Sequence, residues 1–155
     1  MRIRDILQEK GTEVVTIDAN RTIHDAIDKL NAQSIGALIV MKEGEEIDGI
    51  ITERDILQYC GNHCVRLDEG PKRGEAACPS LVQDAMTKDL VIGLLDDDPS
   101  YLMGVMTKNR IRHLPILDDG ILTGIISIGD LVNAHLEETV FEIRTLKDYI
   151  HGTVR

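Results

Sequence analysis

The spacing of apolar residues along this chain switches between strand-like and helix-like periods, and the whole succession occurs twice. In the first half an apolar run over Val14–Ile17 predicts a short strand. Ile23, Ala26, Ile27 and Leu30 then fall on one helical face, with Thr22 placed to cap it. Two short apolar strands follow, Ala37–Met41 and Ile47–Thr52, with a turn at Gly44. A second helix starts at the Thr52 hydroxyl. The second half repeats the order: a strand over Leu90–Ile92, a helix capped by Asp98, strands over His113–Leu117 and Leu122–Ser127 turning at Gly120, and a helix from Ser127. Pro99 takes the first helical position, where its missing N–H costs nothing.

The copies align in detail. Gly49-Ile50-Ile51-Thr52-Glu53-Arg54-Asp55 corresponds to Gly124-Ile125-Ile126-Ser127-Ile128-Gly129-Asp130, about 75 residues on. Asp5-Ile6-Leu7 echoes Asp84-Ala85-Met86 near the start of each copy. Turns tolerate length changes best, and the one lost residue falls in the turn between the two strands. The expected fold is α+β, with two β-α-β-β-α repeats and a long C-terminal helix. The repeats occupy residues 1–60 and 81–136. Residues 61–80, with three Gly and two Pro, read as a linker, because structureless stretches of that length are uncommon inside a domain. From Ile128 a helical stripe continues through Leu131, Val132, Leu136, Val140, Ile143, Leu146 and Ile150. It spans about 23 residues, or roughly 34 Å. The part beyond residue 136 is longer than one small repeat needs, so its apolar face is expected to pack on another chain.

Composition narrows the function classes. The 155 residues are 43% hydrophobic and 28% charged, the balance of an ordinary folded protein. With one Phe and no Trp, the core must come from Ile, Leu, Val, Met and Ala. A net charge of -10 disfavours nucleic acid, which needs a basic face. One local exception, Lys108, Arg110, Arg112 and His113, has no acid among it. No segment reaches the ~18 apolar residues of a membrane span, and the first residues do not read as a signal peptide. Three cysteines, an odd number, suit a reducing compartment, so a cytoplasmic location is expected.

The doubled run of glycine, two apolar residues, Thr or Ser, two variable residues and Asp resembles the signature of the CBS domain family, named for cystathionine β-synthase. The Arg112-His113-Leu114-Pro115 run is a second feature of that family, and Leu146-x-x-Tyr149-Ile150-His151-Gly152 resembles the end of small stand-alone bacterial CBS-pair proteins. The resemblance implies two repeats related by a pseudo-two-fold, with clefts between them for adenosyl ligands: AMP, ADP, ATP, NAD(H) or S-adenosylmethionine. It also implies association into a homodimer.

The residues suit such a ligand. A ribose presents two neighbouring hydroxyls, and an ionised carboxylate accepts both in charge-assisted bonds. Thr52 with Asp55, and Ser127 with Asp130, stand three apart at a helix start and face one way. The same spacing is a relative of the capping box, so a purely structural cap is the competing reading, and the two are compatible. Thr16, Ile17, Ala37 and Ile51, or Leu114 and Pro115, could line an apolar adenine slot, although plain β-core packing also accounts for them. Arg112 and His113 are the candidates for phosphate, with Arg54 another. By the resemblance, Arg112 and His113 share the Asp55 cleft, whereas Gly36 and Ala37 share the Asp130 cleft. Repeat two also has Gly93 where repeat one has Ile17. One stronger site at Asp55 is therefore expected.

Other constellations carry less. Cys60, His63, Cys64 and Cys78 supply only half of a zinc-type spacing, so no metal is expected. Asp96-Asp97-Asp98 reads as a polar helix entry rather than a metal cluster. His24, His135 and His151 read as surface residues. No base and nucleophile pair, so the chain reads as a regulatory binding module and not an enzyme. Its rivals are a structural dimerisation module with empty clefts and a nucleotide-processing enzyme.

Overall fold

The computed structural model describes residues 1–43, 46–63, 80–150 and 152. In chain order the elements are α1 (Ile3–Lys10), β1 (Thr16–Asp18), α2 (Ile23–Gln33), β2 (Ala37–Lys42), β3 (Glu46–Thr52), α3 (Glu53–His63), α4 (Val82–Ala85), β4 (Gly93–Leu94), α5 (Pro99–Asn109), β5 (His113–Asp118), β6 (Ile121–Ser127) and α6 (Ile128–Ile150). They build two three-stranded sheets, in the orders β1-β2-β3 and β4-β5-β6. In each sheet the first pair is parallel and the second antiparallel. A parallel pair needs a crossover, which α2 and α5 supply, whereas an antiparallel pair closes through a tight turn. Both antiparallel ladders slip register at the same place, between Val40 and Met41 and between Ile116 and Leu117.

The local signals act as expected. Thr22 caps α2, accepting from the Asp25 N–H at 3.1 Å, while Asp25 accepts from the Thr22 N–H at 3.1 Å. Asp98 caps α5 through the Ser100 and Tyr101 N–H groups at 2.9 and 3.3 Å, with Pro99 in the first turn. Gly120 takes φ +81° in the β5–β6 turn, a conformation that favours glycine. Gly44 lies outside the described residues.

Three expectations shift. The first strand of each repeat lies further along than its apolar run: Thr16–Asp18 against Val14–Ile17, and Gly93–Leu94 against Leu90–Ile92. Strand pairing is made by backbone groups, so a side-chain-free Gly93 joins the ladder opposite Ile116 although hydropathy passes over it. Helix α3 runs through Gly61 to His63, into the stretch read as linker. The remainder of that stretch to Pro79 lies outside the described residues.

The folded units are not the sequence repeats. One unit is Met1–Glu13 with Val91–Arg155, the other Val14–Leu90. The first core joins Ile17, Leu38, Val40 and Ile51 to Val82 and Met86 of the segment that leads repeat two. The second joins Leu114, Ile116, Ile126 and Leu131 to Ile3, Ile6 and Leu7 of α1. Each lead segment thus serves the other repeat's sheet. This gives the signature glycines a physical role. A Cβ on Gly49 would stand 2.6 Å from the Thr87 carbonyl oxygen, and one on Gly124 would stand 2.8 Å from Leu7 Cδ2.

Candidate ligand site

Because α3 follows β3 directly, Thr52 is both the last strand residue and the helix cap. Its N–H and hydroxyl donate to Asp55 Oδ2 at 2.8 and 2.7 Å, and the Asp55 N–H donates to Thr52 Oγ1 at 3.2 Å. Ser127 and Asp130 reproduce this at 2.7, 2.7 and 3.2 Å. The capping role is therefore realised at both motifs. Both carboxylates are half-buried at a helix N-terminus, where the backbone dipole favours negative charge.

The next shell differs. In the unit spanning Val14–Leu90, Asp55 Oδ1 accepts the Thr87 hydroxyl at 3.1 Å. In the other unit, Lys10 Nζ of α1 donates to Asp130 Oδ2 at 2.6 Å and to the Ile125 carbonyl at 2.9 Å. Partial burial pushes the Asp130 carboxyl up. The Lys10 ammonium and the Ser127 amide and hydroxyl outweigh that and hold it below the usual carboxylate range.

Each unit also brings the start of its middle strand to its motif. Ala37 pairs with Thr52 and His113 with Ser127 across the ladders. The Glu53 N–H donates to the Gly36 carbonyl at 3.2 Å, and the Ile128 N–H to the Arg112 carbonyl at 2.9 Å. The dipeptides differ in chemistry: Gly36-Ala37 offers backbone, whereas Arg112 is exposed and His113 half-buried. Arg54 is exposed on the first turn of α3. Ile17, Ala37, Ile51 and Leu114 are 5% exposed or less and Pro115 is buried; Ile17 and Ile51 belong to the first core and Leu114 to the second. Thr16 is half-buried, its carbonyl accepting from Lys29 Nζ at 2.6 Å. Thr16 and Ile17 border an open depression of about 900 Å³ with Arg21 and Lys29, and neither Thr52 nor Asp55 lines it. A smaller hollow of about 320 Å³ adjoins Asp130 and Lys10.

Sequence reasoning missed Lys10 and Thr87 as partners of the two carboxylates. The available signal was the echo of Asp5-Ile6-Leu7 in Asp84-Ala85-Met86, which marks both lead segments as parts of the repeat. Among the described residues, no group of three or more His, Cys, Asp or Glu is placed to hold a metal. His63 stacks on Tyr59 with ring centroids 4.1 Å apart, and Cys60 is half-buried. Cys64, Cys78 and His151 lie outside the described residues. Asp97 accepts from the Leu94 N–H at 2.8 Å and Asp96 pairs with Arg4, so with Asp98 the acidic run is spent on a turn, an ion pair and a cap.

The doubled β-α-β-β-α unit with its paired Thr/Ser-x-x-Asp helix starts has known counterparts. The CBS domain family matches residues 3–62 and 82–137. This chain belongs to the CBS domain family. A CBS domain-containing mitochondrial protein of Arabidopsis thaliana, CBSX3, is 32% identical over 158 residues, spanning 97% of this chain and 72% of the relative. The CBS-domain protein ATU1752 of Agrobacterium tumefaciens superposes with a TM-score of 0.76 at 36% identity, covering 87% of this chain and 99% of that one. The CBS domain pair of MJ0100, solved in complex with 5'-methylthioadenosine and S-adenosyl-L-methionine, shares the fold with a TM-score of 0.72 at 21% identity, covering 89% of this chain and 98% of that one. No helix among the described residues of this CBS pair is long and apolar enough to cross a membrane.

Proposed function

We propose that this CBS pair is a regulatory sensor of adenosyl ligands such as AMP, ADP, ATP, NAD(H) or S-adenosylmethionine. It works in a reducing, cytoplasmic setting and performs no chemistry on the ligand. Asp55 and Asp130 each receive ribose hydroxyls, with Thr52 and Ser127 fixing the carboxylates. Thr16 offers surface for adenine, backed by the buried Ile17, Ala37 and Ile51 in one unit, and Leu114 and Pro115 back the corresponding slot in the other. Arg112, His113 and Arg54 offer cationic or N–H groups to phosphate. A ligand of this kind regulates only by its differential affinity for two states of the protein.

The observation that carries this reading is the twofold occurrence of one geometry: a half-buried carboxylate clamped by the Thr or Ser before it, directly after a glycine-apolar-apolar strand end. Asp55 already takes a hydroxyl donor, Thr87, of the kind a ribose supplies. The adenosyl ligands of the fold relative MJ0100 support the same class. A competing reading, in which both motifs are caps alone in a structural module, draws on α2, where Thr22 and Asp25 build the same box.

A ligand bound only by the native state raises the melting temperature by mass action. Adenosine-containing compounds should raise it in a thermal-shift series, and guanosine analogues should not. Equal stabilisation by both bases would defeat the assignment to adenosyl ligands, and no shift with any compound would favour the cap-only reading.

A further inference from the structure

Helix α6 outruns the unit it belongs to. Leu131 and Ala134 are its buried residues, and from His135 to Ile150 every side chain is exposed except the half-buried Thr139. A bare helix of that length is marginal in water without tertiary packing. Its apolar residues are not scattered. Val132, Leu136, Ile143, Leu146 and Ile150, with the polar Thr139 between Leu136 and Ile143, are spaced alternately by four and three, the 3.5-residue period of a coiled-coil seam, and Val140, 60% exposed, flanks that seam beside Thr139. The five large ones are between 41% and 76% exposed. Thr139 enters such a seam with its hydroxyl satisfied, donating to the His135 carbonyl at 2.9 Å.

We propose that this seam is covered by α6 of a second copy, the two helices running parallel as a short two-stranded coiled coil. Leu136, Ile143 and Ile150 take the a positions and Val132, Thr139 and Leu146 the d positions. β-Branched residues at a with Leu at d are the choice of parallel two-stranded coils, and Ile143, Leu146 and Ile150 follow it. The flanking charges agree. Glu142 at g precedes Lys147 at e by five residues, the spacing of the cross-helix ion pair between parallel strands, and the symmetry makes that pair twice. An antiparallel pairing that set Leu136 against Leu146 would place Glu142 beside the Glu142 of the other copy. Phe141, 71% exposed, lies on the opposite face and takes no part. The inference is independent of what the carboxylates bind.

Orientation and interface are testable together in the full chain with Cys60, Cys64 and Cys78 replaced by Ser. In parallel pairing Leu146→Cys meets its own copy and should form a disulfide under mild oxidation. Ile143→Asp places a charge in the seam and should raise the dimer dissociation constant by about tenfold or more in sedimentation, while Phe141→Ser should leave it unchanged. A disulfide that forms only when Leu136→Cys and Leu146→Cys are mixed would overturn the parallel orientation. Self-association unaffected by Ile143→Asp would overturn the seam itself.

Discussion

Asp55 and Asp130 are built alike by their local sequence and neutralised differently by their surroundings. Each accepts two hydrogen bonds from the Thr or Ser three residues before it. Beyond that, Asp55 meets the neutral Thr87 hydroxyl and Asp130 the Lys10 ammonium. Both partners come from lead segments remote in sequence. The motif therefore fixes where the carboxylate stands, and the exchanged lead segment decides how much of its charge is left for a ligand. A ribose at Asp130 must share the carboxylate with an ammonium, whereas one at Asp55 competes with a hydroxyl.

The largest expected difference lies in the packing behind the two motifs. Gly49→Ala would push a methyl against the Thr87 carbonyl, part of a segment tied to Ile50 by hydrogen bonds of 3.0 and 2.8 Å. Gly124→Ala would meet the end of the Leu7 side chain, which is buried in the second core but shifts at less cost than a hydrogen-bonded backbone. Overpacking of this kind costs about 1–3 kcal/mol, so denaturant titration should put Gly49→Ala near the top of that range and Gly124→Ala near the bottom. Equal losses would show that the two lead segments yield equally.

A smaller effect isolates Lys10. With Lys10→Met, Asp130 keeps its charge and loses its counter-ion, so AMP should weaken relative to adenosine by about fivefold at that site. An unchanged ratio in calorimetry would remove Lys10 from the site. The same variant has a pH signature. The Asp130 carboxyl sits below its ordinary value of 3.8 in the folded chain. The stability it contributes is present above that value and lost as the pH falls through the lower folded one. The advantage of the native chain over Lys10→Met should therefore be full near neutrality and shrink in acid. Growth of that advantage on acidification would reverse the assigned sign.

Much of this was legible in the sequence because it is local. The caps at Thr22 and Asp98, the turn at Gly120, the helix starts at Thr52 and Ser127 and the length of α6 all follow from residues within a few positions of one another. The first strands were misplaced because hydropathy reports side chains, and Gly93 contributes only backbone. For Lys10 and Thr87 the echo of Asp5-Ile6-Leu7 in Asp84-Ala85-Met86 marks the lead segments as parts of the repeat, but the long-range pairing that joins each residue to its carboxylate has no local pattern. The signature glycines belong to both classes: their positions were plain, and the reason for them appears only once α1 and the Thr87 segment lie across them.

Calorimetric titration of AMP into three variants tests most directly whether the two clamped carboxylates hold a ligand. Asp55→Ala removes charged hydrogen bonds worth roughly 1.5–3 kcal/mol and should weaken the tighter binding event by about one to two decades. Asp130→Ala should leave that event nearly intact and affect only the weaker one. Thr22→Ala, which breaks the same box at α2, should lower stability and leave AMP affinity unchanged. If Asp55→Ala and Asp130→Ala both bind AMP as the native chain does, the carboxylates are helix caps and nothing more.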